Sequence, residues 1–180
     1  LAMRKTVLMN LHSKNNAMLF SLTAKNHAQY AAKHEYDMLN MDVPYDVNLN
    51  VELVRALLKV WPRIIMIGSD IWFTNMKIDA ATLADDGDAL TMGPDPCANF
   101  PVNGDFSIFQ QTDTTDAVLD RIAEVQLNND MPFGFQEAVK SIIETGGISG
   151  LNVLQPRVLQ SFPNHSDIME PVRKETFWQP

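Results

Sequence analysis

The sequence predicts a single α/β domain in which a central, mostly parallel sheet is flanked by helices. Three observations carry that expectation. Strand and helix patterns alternate through the first 70 residues, and a repeated β-α-β order builds parallel sheets. The run "RIIMIGSD" (63–70) is apolar at four successive interior positions, as a strand covered on both faces must be. A chain of 180 residues with 46% hydrophobic and 20% charged side chains suits one layered core and leaves little room for a second.

The elements follow in order. "TVLMNLH" (6–12) is a short apolar run closed by polar residues, a buried-strand pattern. "NNAMLFSLTAKNHAQYAAKHEYD" (15–37) has Ala-rich, helix-favouring spacing. "DMLNMDVPYD" (37–46) alternates apolar and polar side chains as a second strand. A helix over 50–62 takes Asn50 as its cap and Pro62 as its stop, with Leu53, Val54, Leu57 and Leu58 on one face. Residues 63–70 form the third strand. Two further strands are expected at 88–96 and 100–111, the latter entered through a turn. The helix at 113–127 turns Val118, Leu119, Ile122 and Val125 inward, and that at 133–147 does the same with Ala138, Val139, Ile142 and Ile143 before Gly146-Gly147 stops it. From about 151 an irregular, proline-bearing tail is expected to lie over the sheet, so that residues 1–180 make one domain.

Composition removes several classes of function. A net charge of -8 and the lack of clustered Lys and Arg exclude a surface that tracks nucleic-acid phosphates. Any anionic ligand must then be held locally, for instance through a metal. Cys97 is alone and cannot form an internal disulfide, which fits a cytoplasmic location. No apolar run approaches the roughly 20 residues of a membrane span.

The third strand ends on a carboxylate. Ligands of open α/β sheets gather at the carboxyl ends of the strands, which makes Asp70 a candidate site residue. An Asp in that place also serves simply to cap the turn into "IWFTN".

Several collinear stretches bear on that choice. "LTAKNHAQYAAKHEYDM" (22–38), "ELVRALLKVWPRIIMIGSDIWFTN" (52–75), "VNGDFSIFQQTDTTDAVLDRI" (102–122) and "FGFQEAVKSII" (133–143) together resemble the nucleotide-sugar-dependent glycosyltransferases of GT-A (Rossmann-like) fold. The likeness is to the group that includes fungal α-galactosyl- and α-mannosyltransferases and plant xyloglucan α-xylosyltransferases, and it spans roughly residues 5 to 160 with no motif matched in full. It implies transfer of a hexose from a nucleotide-diphosphate sugar, with UDP as the expected carrier, to the hydroxyl of a glycan or other acceptor. Retention of anomeric configuration is implied too. In that mode the leaving phosphate accepts the acceptor's proton and Gln136 offers a dipole beneath the sugar, whereas Asp105 is the candidate base if the reaction inverts.

The resemblance also implies a divalent metal, Mn2+ or Mg2+, at a strand-end D-x-D. Here that triplet is Gly68-Ser69-Asp70, so Asp70 is the one acid retained, Ser69 is a possible helper, and Gly68→Asp is expected to tighten metal binding. The family's "G-D-F-x-x-H-x-x-G" strand, which supplies a metal-ligating histidine, has no match, and His165 could replace it only if the tail folds back. Asn10, Leu11 and His12 are expected at the base and ribose, Arg55 at the donor, and Asn103 and Gly104 beside the donor sugar. Each has an ordinary alternative: a helix arginine paired with Glu52, a surface histidine, a plain turn. Tyr30 is either a base-flanking ring or a packing tyrosine, and His27 and His34 lack the partner cluster of a metal site. Two rival readings remain, a sugar-nucleotide-binding module without turnover and a phosphate-ester hydrolase built on Asp70 and Asp105.

Overall fold

The computed structural model describes residues 6–42, 48–95, 101–128 and 134–154. Among these, six strands form one sheet: β1 (Thr6–His12), β2 (Asp37–Asp42), β3 (Arg63–Gly68), β4 (Leu90–Met92), β5 (Phe106–Gln110) and β6 (Leu151–Val153). Their order across the sheet is β2-β1-β3-β5-β4-β6. β1 pairs in parallel with β2 and β3, and β4 with β6, while β5 is antiparallel to both its neighbours. One reversed strand thus interrupts an otherwise parallel sheet, as the sequence patterning predicts in its "mostly parallel" form.

Four helices flank it: α1 (Ala17–Lys33), α2 (Val51–Leu58), α3 (Thr115–Asn128) and α4 (Gly134–Glu144). Local chemistry marks the start of α2 and the end of α4. The Asn50 side chain accepts the Leu53 N–H at 3.0 Å and so caps α2. Gly146 and Gly147 adopt positive φ just past α4, the left-handed exit that glycine permits. The expected strand at 88–96 contracts to β4, and that at 100–111 to β5.

β3 is covered on both faces, and its alternation explains how. Ile64 and Met66 enter a core with Val7, Met9 and the inner faces of α2, α3 and α4. Ile65 and Ile67 enter a second core with Leu8, Tyr30, Ala31 and the segment around Ala80. The sheet therefore sits between a three-helix layer and a layer made of α1 with the chain that follows β3. The tail expected to be irregular from 151 begins instead with β6, because "LNV" adds a parallel edge to β4; residues 155–180 lie outside the described residues. No helix among the described residues is long and apolar enough to cross a membrane.

Candidate active site

The reversed strand decides what stands at the carboxyl edge of the sheet. β1 and β3 end there, whereas β5, running the other way, begins there. Ile67 is in register with Phe106, and the Gly68 N–H donates to the Asp105 carbonyl at 2.8 Å. A turn residue 35 positions downstream of Asp70 in sequence is thereby brought against the end of β3.

At Gly68 the two acids meet. A Cβ placed on this glycine would lie 2.9 Å from one Asp70 carboxylate oxygen and 3.3 Å from one Asp105 carboxylate oxygen. Both oxygens therefore converge on the space that any other residue at 68 would fill. Gly68 needs no special backbone freedom, since positive φ among the described glycines is confined to 134, 146, 147 and 150. It is glycine for room. Burial first, then the charges of Asp70 and Asp95, push the Asp105 carboxyl up to about 6. A side chain at 68 would press on the ends of both carboxylates, so the Gly68→Asp expected to tighten metal binding could do so only if Asp70 and Asp105 swing aside.

The turn that presents Asp105 is held from both sides. Asn103 Oδ1 accepts the Asp105 N–H at 2.7 Å, an Asx turn, and the Asn103 N–H donates to the Gly93 carbonyl. From the first turn of α4, Gln136 Oε1 accepts the Gly104 N–H at 2.9 Å and its Nε2 donates to Asp95 at 3.0 Å. Gln136 thus stands against the 103–105 turn, and both ends of its amide bond to protein. Its place is that of a clamp on the 103–105 turn.

The loop after β3 is held by α1 in a way that the sequence patterning misses. Thr23, Asn26, His27, Tyr30 and His34 follow helical spacing, and each bonds the backbone of residues 69–80. Thr23 donates to the Ser69 carbonyl at 2.7 Å. Asn26 donates to the Phe73 carbonyl and accepts its N–H, at 2.9 and 2.8 Å. Asn10 Nδ2 lies 2.6 Å from His27 Nδ1, which assigns the ring proton to Nε2, facing the Ile71 carbonyl at 2.6 Å. Burial lowers the His27 pKa, against the pull of the Ile71 carbonyl and the Asp70 charge. The Tyr30 hydroxyl donates to Ile78 and accepts from Ala80, and its ring stacks on Phe73 with centroids 3.7 Å apart. The signal was a polar stripe at i, i+3, i+4, i+7 and i+11 on a helix with a weak apolar face. It was readable as a pattern, but its partners, being backbone groups, left no mark in the sequence.

Asn10, Leu11 and His12 close β1 at the same edge, Leu11 in register with Gly68, but their side chains are engaged elsewhere. Asn10 is fully buried and turned to His27, with its Oδ1 lacking a partner among the described residues. Leu11 packs on the core, and His12 stacks on Phe20 with centroids 4.2 Å apart. Ser69 is buried beneath Thr23. Arg55 is not brought to this edge: its guanidinium bonds Asp116 and Asp120 on α3, at 2.6 Å for the latter, and lies 3.5 Å from Glu52. That is the helix ion pair of the alternative reading, enlarged by α3, so the donor role expected of Arg55 gives way to it. His165 lies outside the described residues.

A metal is tested against this geometry. No three His, Cys, Asp or Glu groups cluster as a metal centre among the described residues. Two acids at the exposed sheet edge, both with a carboxylate oxygen beside Gly68, nevertheless fit a hard divalent cation that draws its remaining ligands from phosphate and water.

No family model and no curated protein match the chain. Solved structures do. The chain is similar to a glycosyltransferase involved in the glycosylation of the major capsid of PBCV-1, at 13% identity and a TM-score of 0.64, over 86% of this chain and 82% of that one. It is also similar to the glycosyltransferase GlyE of Streptococcus pneumoniae TIGR4, at 9% identity and a TM-score of 0.55, over 85% of this chain and 45% of that one. The apo form of GlyE aligns at a TM-score of 0.56. The chain therefore spans less than half the length of GlyE. At these identities the likeness is one of fold.

Proposed function

We propose that the protein is a GT-A glycosyltransferase that moves a hexose from a nucleotide-diphosphate sugar, UDP being the expected carrier, to an acceptor hydroxyl. One observation carries the reading: Asp70 and Asp105 converge over Gly68 at the carboxyl edge of a sheet whose fold is shared with glycosyltransferases. An acidic chain that takes a diphosphate needs a local cation, and Asp70 is the residue to hold it. When bound, Mn2+ or Mg2+ would neutralise the diphosphate leaving group. The chain's own part is positional. The α1 stripe holds the Asp70 loop rigid, and Gln136 and Asn103 hold the Asp105 turn, so the charged groups are pre-set for the donor. With the Gln136 amide engaged by protein, retention rests on the leaving phosphate as proton acceptor.

A second reading, inversion with Asp105 as base, is favoured by its carboxyl's elevation to about 6, close to the working range of a general base. The product's anomeric configuration, read by NMR, separates the two. The donor assignment is tested by melting the protein with UMP, UDP and a set of UDP-sugars, with and without manganese. A ligand of the native state raises the melting temperature. A UDP-sugar that stabilises more than UMP, and more with manganese, is expected; no shift with any of them refutes the donor assignment.

A further inference from the structure

Position 68 carries no acid, but its neighbour across the sheet does. Gly68 and Asp105 are joined across β3 and β5 by the Gly68 N–H donating to the Asp105 carbonyl. Their Cα atoms are therefore neighbours at the strand end, and a carboxylate can reach the same space from either strand. Here it comes from β5. The Asp105 oxygen stands 3.3 Å from the point where a Cβ on residue 68 would begin, and the Asp70 oxygen stands 2.9 Å from that same point. Glycine at 68 thus leaves open the space beside which the Asp70 and Asp105 carboxylates lie.

We propose that Asp105, together with Asp70, holds the divalent cation, its carboxylate taking the place of the one missing from β3. The inference rests on the donor reading above and deepens it. Two considerations favour a ligand over a structural acid. Both are exposed residues at the sheet edge, where an exchangeable ion can arrive. Their approach also brings two like charges together where, among the described residues, no Lys or Arg forms an ion pair with either, an arrangement that a cation relieves. With only two protein ligands, the ion would need phosphate oxygens to complete its shell, so the site binds it well only when the diphosphate is present.

The test moves the carboxylate back. UDP binding is titrated calorimetrically with and without Mn2+ in the wild type, Asp105→Asn, Asp105→Gly, Gly68→Asp and the double variant Gly68→Asp/Asp105→Gly, each first shown to melt cooperatively. In the wild type Mn2+ should tighten UDP binding at least tenfold. Asp105→Asn and Asp105→Gly should lose most of that enhancement, and their cation-free UDP affinity should rise, because one negative charge beside the diphosphate is gone. Gly68→Asp alone should not improve on wild type, being overcrowded, and the double variant should recover most of the enhancement. The pairing is overturned if Asp105→Asn keeps the full enhancement, as it would were Asp105 only a base, or if the double variant does no better than Asp105→Gly. If Mn2+ leaves wild-type UDP binding unchanged, the donor reading with its metal fails, and this inference fails with it.

Discussion

Removing the Tyr30 hydroxyl oxygen should loosen the loop that carries Asp70. Tyr30 is 1% exposed; its oxygen donates to the Ile78 carbonyl at 2.7 Å and accepts the Ala80 N–H at 2.9 Å. Tyr30→Phe keeps the ring, its stack on Phe73 and the packed volume, so no cavity forms. What it removes is two hydrogen bonds, leaving two backbone groups without partners. Each bond contributes about 1 kcal/mol net, and an unpaired buried group costs about 1–3 kcal/mol, so a loss of roughly 2–3 kcal/mol is expected. At about 2–4 °C per kcal/mol for a domain of this size, the melting temperature should fall by roughly 5–10 °C. Urea denaturation measures the free energy and hydrogen exchange its location. Amides across 71–81 should exchange faster, Ala80 most of all. A loss below about 0.5 kcal/mol, or a full loss with unchanged exchange in this segment, would refute the bracing argument.

Other substitutions separate site from scaffold. Asp70→Ala should abolish most metal-dependent transfer and leave the melting temperature within a few degrees of wild type, because its side chain is exposed and outside both cores; wild-type turnover in this variant would return Asp70 to the role of turn cap. Arg55→Ala should cost at most about 1 kcal/mol, less in high salt, and leave UDP affinity unchanged, since its partners are largely solvated acids on α2 and α3; weakened donor binding measured by calorimetry would restore the donor role. His27 should give stability a pH dependence. Its folded pKa is below the ordinary 6.5, so the unfolded state binds the proton more readily, and the stabilisation present above about pH 6.5 is lost as the pH falls toward the folded value. Melting curves from pH 7.5 to 5.5 should fall more steeply for wild type than for His27→Gln, and parallel curves would count against this assignment.

The sequence by itself determined the layers. The continuous apolar run in 63–70, the Asn50 cap, the helical face of 115–125 and the glycines after α4 are local signals, and local physics realises them wherever the segment is placed. It also marked Asp70, because a carboxylate that closes a buried strand is unusual in one segment alone. Only the tertiary structure decided what that carboxylate faces. Asp105 reads in sequence as a common Asn-Gly-Asp turn; it becomes a partner of Asp70 because β5 runs antiparallel to β3 and delivers its first residues to the other strand's end. Gly68 likewise reads as a lost acid until the neighbouring strand shows what occupies its space. The stripe on α1 is the converse case, five polar side chains whose spacing is plain but whose partners are backbone carbonyls and N–H groups. Every residue carries such groups, so composition cannot reveal which of them a helix will bond, and pairing of this kind exists only once the chain has folded.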